Sequence, residues 1–210
     1  MNRKILLFVV LPLLPVWLGA TVTVQYGSFL DGDTFESLDF TDSSGLRFSP
    51  SNPGLISIGY FDSDPLSLGS FSDLLSNYTS LGESSGWVSQ NPGFIQPSSD
   101  YSNSTPQGET AYSFVFGGIS DFSNASSASS YSVFRDSSWV SFVDGSSGLP
   151  SPLVYQTLDP DTVVAGNLVP DGSNFELQAI PEPSAYATIL GLLGLGYAVF
   201  CRRRRSSSTD

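Results

Sequence analysis

Histidine is missing from this 210-residue chain, lysine occurs only at Lys4, and cysteine only at Cys201. Without histidine there is no Ser-His-Asp or Cys-His nucleophile and no ordinary zinc or copper ligand set. Without lysine beyond position 4, the body has neither a lysine base nor a Schiff-base former. A lone cysteine closes no disulfide within the chain, so stability rests on packing. Basic residues are scarce as well. Between Thr21 and Ile180 there are 18 acidic residues against Arg47 and Arg135, a net charge of −16 where the whole chain carries −12. Such a surface repels nucleic acid, which needs a positive footprint. No glycine-rich phosphate loop runs from a strand into a helix, and no Gly-x-Ser-x-Gly elbow occurs.

Carboxylates are the chemistry that remains. A pair such as Asp62 with Asp64, or Asp31 with Asp33, is what glycoside hydrolysis would use. Both pairs sit among Gly, Ser and Pro, where aspartate commonly bonds its own backbone in a turn. Asp31-Gly32-Asp33 with Glu36, and Asp159-Pro160-Asp161, also offer hard oxygen ligands for calcium, though neither follows the EF-hand spacing. The expectation is a protein that is not an enzyme and carries no cofactor. A structural Ca2+ at Asp31, Asp33 and Glu36 is the metal site to test.

The richest signal lies from residue 180 onward. Pro181-Glu182-Pro183 precedes an uncharged apolar run from Ala185 to Cys201, followed by Arg202, Arg203, Arg204 and Arg205 and a polar tail at 206–210. As a helix at about 1.5 Å per residue, the run is roughly 25 Å long, just under the ~30 Å of a hydrocarbon core. Tyr186, Tyr197 and snorkelling arginines would complete the match at the interfaces. The arginines hold their end on the cytoplasmic side. Pro181 and Pro183 keep the preceding peptide extended, because proline lacks an amide proton and disfavours helix before it.

This ordered trio resembles the PEP-CTERM sorting domain of Gram-negative bacteria. The resemblance covers about residues 181–205. It implies that Pro181, Glu182 and Pro183 are the motif read by exosortase, a membrane enzyme of transpeptidase type. It implies further that Arg202 to Arg205 are a stop-transfer block lost with the helix. It also implies a link to extracellular polysaccharide.

The N-terminal residues fit the same topology. Arg3 and Lys4, the apolar stretch Ile5 to Leu18, and Gly19-Ala20 form a secretory signal over 1–20, cleaved between Ala20 and Thr21. Positive charge flanks both apolar runs, so both point to the cytoplasm and residues 21–180 lie outside. The expected protein therefore crosses the inner membrane as an anchored precursor. The resemblance adds the expectation of a mature form at the cell surface or in the extracellular matrix, with an exosortase-like enzyme and extracellular polysaccharide as partners beside the inner membrane, which the precursor meets transiently.

The exported body reads as one mainly β domain. Short aromatic or β-branched runs separated by Gly, Pro, Asp and Ser mark strands at Thr21–Phe29, Leu55–Phe61, Ala111–Phe116, Tyr131–Arg135, Ser138–Val143, Thr162–Val169 and Asn174–Ile180. Asp136-Ser137 reads as a hairpin, and Pro170-Asp171-Gly172-Ser173 as a turn joining the last two strands. Ser70 to Leu81 places Phe71, Leu74, Leu75, Tyr78 and Leu81 at helical spacing, with Ser70 as N-cap and Asp73 three residues on. That spacing predicts a short helix packed on an edge of the sheet. Residues 90–107 read as loop. About seven strands, one helix and no βαβ alternation predict an antiparallel β-sandwich, jelly-roll or immunoglobulin-like, followed by the transmembrane helix at 185–201.

Two functions compete on this sequence, with a carboxylate glycosidase behind both. One is a structural or adhesive surface or matrix protein processed through its sorting signal. The other is a lectin-like carbohydrate-binding module using Trp87, Trp139, Tyr101 and Tyr155 as platforms; exposed rings favour it and buried rings favour the first.

Overall fold

In the computed structural model the described residues are 21–28, 38–102, 108–142, 153–156, 160–168 and 174–181, with Ile189, Gly191, Leu192, Leu193, Leu195 and Tyr197 beyond them. Twelve strands fall in these stretches: β1 (Thr21–Gly27), β2 (Asp39–Thr41), β3 (Gly54–Phe61), β4 (Tyr78–Ser84), β5 (Ser98–Ser102), β6 (Tyr112–Gly117), β7 (Ser130–Arg135), β8 (Leu153–Gln156), β9 (Thr162–Ala165), β10 (Asn167–Leu168), β11 (Asn174–Glu176) and β12 (Gln178–Ala179). The α-helix α1 (Phe71–Asn77) and 3-10 turns at Pro65–Ser67 and Phe122–Ser127 accompany them.

A central sheet has the order β12-β7-β6-β3-β4, with β9 also on β7; two smaller sheets run β5-β1-β8 and β10-β11-β2. The central sheet is buried on both faces along β3, β6 and β7, where large apolar side chains alternate between two cores. Ile56, Ile58, Val115 and Phe134 face a first core shared with Val24 and Tyr26 of β1, Phe40 of β2, Tyr155 of β8 and Phe175 of β11. Leu55, Phe61, Phe114, Phe116 and Tyr131 face a second core closed by Leu74 of α1 and Ala125 of the 122–127 turn. Among the described residues the architecture is mainly β with sheets stacked on a shared core, as expected. Two pairings depart from the antiparallel expectation: β1 runs parallel to β8, and β11 parallel to β2.

Several local expectations change. Helix α1 has its predicted cap, with the Ser70 hydroxyl accepting from the Asp73 amide at 3.1 Å. It stops at Asn77, however, because Tyr78 onward pairs with β3 as β4. Nor does α1 pack on an edge: Phe71 meets Phe114 and Phe116 of β6 and Tyr131 of β7, over the middle of the sheet. The Asp136-Ser137 hairpin does not form. Its turn exists, with Trp139 N–H donating to the Asp136 carbonyl at 3.1 Å, but residues 138–142 are not strand and β7 pairs with β9 instead. Residues 98–102, read as loop, are β5 on β1.

The two last predicted strands each break once. β9 gives way to β10 at Gly166, taking the chain from the central sheet to the β2 sheet, and β11 to β12 at Leu177, bringing it back. Gly166 has φ of 95°, a conformation costly for any residue with a Cβ. A Cβ there would also lie 2.6 Å from Phe175 and 2.8 Å from Ser132.

Candidate functional site

Among the described residues β12 is the last strand. Gln178 pairs with Tyr131 and Ala179 with Ser130, and the Ile180 amide donates to the Ser129 carbonyl at 3.0 Å. Ile180 is half-buried against the second core, and Pro181 after it is exposed. Just upstream, Leu177 is buried and its amide donates to the Thr41 carbonyl at 3.0 Å. Proline ends the ladder here because it has no amide to offer. Pro181, the first residue of the Pro-Glu-Pro peptide, thus directly follows Ile180, whose amide is still bonded to the sheet.

Of the other predicted positions, Thr21 opens β1, paired with Ser102. Ala20, Glu182, Pro183, Arg202, Arg203, Arg204 and Arg205 lie outside the described residues, as do Asp31, Asp33, Glu36 and Asp159 of the calcium readings. The predicted span 185–201 lies largely outside them too. Its described positions are helical, and Ile189, Leu192, Leu193, Leu195 and Tyr197 are all exposed. Among the described residues no helix is long and apolar enough to cross a membrane.

Asp62 and Asp64 do come together, with Glu109, which sequence reasoning missed. They line a cleft of about 310 Å3 whose apolar wall is Phe61 and Tyr112. The Asp64 carboxylate accepts the Leu66 amide at 3.0 Å and caps the 3-10 turn, the local role expected of a turn aspartate. The Arg135 guanidinium lies over the Tyr112 ring, 5.8 Å from its centroid. Among the described residues no group of three His, Cys, Asp or Glu is placed to hold a metal ion.

Strand register fixes where these two places lie. The cleft follows the last residue of β3 and precedes the first of β6, where Gly59 pairs with Tyr112. Gly54 at the start of β3 pairs with Gly117, which pairs with Ser130 at the start of β7. The exit at Ile180, opposite Ser129, is therefore at the other end of the sheet, about 20 Å away at ~3.3 Å per residue.

The aromatic rings offered as sugar platforms are not on the surface. Trp87 and Trp139 are 4% and 7% exposed, Tyr101 and Tyr155 6% and 0%. Trp87 donates its indole N–H to the Gly54 carbonyl, and Trp139 packs edge-on to Tyr155. All four belong to the first core.

Comparison with known proteins adds one finding. No curated protein and no solved structure matches the chain. A family model described as the PEP-CTERM protein-sorting motif matches residues 179–205, starting inside β12. The chain therefore carries a PEP-CTERM sorting motif joined directly to a β-rich body, and no other family is identified for it.

Proposed function

We propose that this is an exported precursor whose acidic β body is delivered outside the inner membrane and processed by an exosortase-type membrane enzyme. The observation that carries the reading is the motif match at 179–205, which begins at the end of the last described strand. In this reading residues 1–20 are a signal peptide removed before Thr21. Pro181, Glu182 and Pro183 are presented to the enzyme, residues 185–201 span the bilayer, and Arg202 to Arg205 stop transfer. Processing breaks a peptide bond near the motif: the acyl group passes to water or an amine, and the helix departs with the new amine. The mature body acts without catalysis, as a structural or adhesive component of the cell surface or polysaccharide matrix. Burial of Trp87, Trp139, Tyr101 and Tyr155 favours that passive role.

Intact-mass measurement on protein from its native host tests the reading. The expected species lacks residues 1–20 and those beyond the motif. A full-length polypeptide retaining Arg202 to Arg205 rejects it.

The carbohydrate-binding alternative loses its aromatic platform and would run through the cleft of Asp62, Asp64 and Glu109. Its volume of about 310 Å3 is at the lower end of small-ligand sites, ~300 Å3 upward. A broad glycan panel tests it. Binding that disappears in Glu109→Gln favours this alternative, and silence across the panel removes it.

A further inference from the structure

The grip on the departing chain is uneven. At Leu177 it is firm, with a side chain 2% exposed in the first core and an amide bonded to Thr41. Beyond Leu177 it is slight. Gln178 and Ala179 are exposed, the ladder to β7 is two residue pairs long, and Ile180 contributes one hydrogen bond and a half-buried side chain. Short, solvated edge pairings of this kind open at far lower free energy than a core strand.

An enzyme that takes an extended peptide commonly reads it as an added strand, through backbone groups left free by the substrate. Here the residues on either side of Ala179 are held: Gln178 is paired with Tyr131 of β7, and the Ile180 amide is bonded to Ser129. The folded body also abuts the motif with no spacer to carry it into an active site. We propose that Gln178–Ile180 are a clasp, closed in the free protein, that opens as far as Leu177 before the motif is processed. Ile180 is then a positioning residue for the sorting reaction. Opening releases three residues, about 10 Å of extended chain. Phe175 and Leu177 keep the first core shut meanwhile. The inference rests on the sorting reading above and adds a conformational step to it.

A reversible lock tests the step. Ile180 and Ser129 are joined by a hydrogen bond, so Ala179 and Ser130 form the neighbouring non-hydrogen-bonded pair. Cα atoms in such pairs are about 4.5 Å apart, within disulfide reach. The full-length chain carrying Ala179→Cys with Ser130→Cys is expressed in its processing host. Each single variant, whose new thiol has only the native Cys201 within the chain, serves as reference. The expected result is accumulation of precursor and loss of the mature form, restored by reductant. In the same locked chain, a short Gly-Ser insertion between Ile180 and Pro181 restores maturation with the disulfide intact.

Maturation of the locked chain at the rate of the single variants overturns the clasp. Failure of the insertion to restore it also overturns the clasp, since the lock then acts by damaging the body. If the unaltered chain itself keeps residues 181–205, the sorting reading fails first, and the clasp with it.

Discussion

At the scale of single residues, the second core is organised around Phe114. Its ring is fully buried, stacked on Phe116 at 4.2 Å and close to Tyr78 at 5.1 Å and Phe61 at 6.1 Å. Phe114→Ala is expected to destabilise the protein by about 3–5 kcal/mol, since a cavity remains where six ring carbons were. Urea denaturation against the parent measures it, and a cost below about 1 kcal/mol contradicts the packing described. Tyrosine ionisation gives a second expectation. Burial pushes Tyr26 up to about 12 and outweighs the Ser99 hydrogen bond that lowers it, with Glu83 adding to the rise. Burial also raises Tyr155 and Tyr78. Groups raised in the fold contribute stability that is whole below the unfolded tyrosine value of ~10 and lost as pH climbs through their folded values. Unfolding should therefore set in above about pH 10, with phenolate absorbance and loss of sheet signal rising together. Asp42 works in the opposite direction. Burial would raise it, but hydrogen bonds from Ser44, Leu46 and Asn52 prevail and hold it low. Its contribution is present above ~3.8 and fades as pH falls through the lower folded value. Asp42→Asn should accordingly flatten the acid limb of the stability curve.

Among the elements, legibility follows how locally each strand is specified. β1, β3, β6 and β7 have alternating aromatic and β-branched residues, and each was readable within a residue or two of its ends. β5 was not. Ser98-Ser99-Asp100-Tyr101-Ser102 has little strand propensity, and it is strand because Val22 and Val24 of β1 need partners there. α1 was half readable. Its cap is local, but Tyr78 and Leu81 fit helical spacing and strand alternation alike, and pairing with β3 decided for strand. At the sorting site the Pro-Glu-Pro motif is contiguous and could be seen. The clasp could not, because Ser129 and Ser130 become neighbours of Ile180 and Ala179 only through the register of β12 on β7. Glu109 was hidden for the same reason, reaching Asp62 and Asp64 through the β3–β6 pairing. The corner at Gly166 offers an element-level test. Gly166→Ala combines a positive φ with a Cβ pressed on Phe175 and Ser132. It should cost at least about 1–3 kcal/mol and loosen the β9–β10 and β11–β12 arms together. Hydrogen exchange would show faster loss of protection at Leu177 than at Val115.

For the whole molecule, charge and topology act together. A net charge of −16 on residues 21–180 repels itself across the folded surface. Adding salt from low ionic strength to ~0.15 M, where screening reaches about 8 Å, should raise the melting temperature. A fall would mean that specific ion pairs outweigh this repulsion; Arg47 with Asp39 at 3.2 Å is one such pair. The strand register sets Ile180 and the carboxylates of Asp62, Asp64 and Glu109 at opposite poles of the central sheet. Wherever many copies are held by that one pole, all of them stand the same way up. Their assembly is then a brush with a single anionic crown, and whatever first approaches from solution meets that crown before any flank of the protein.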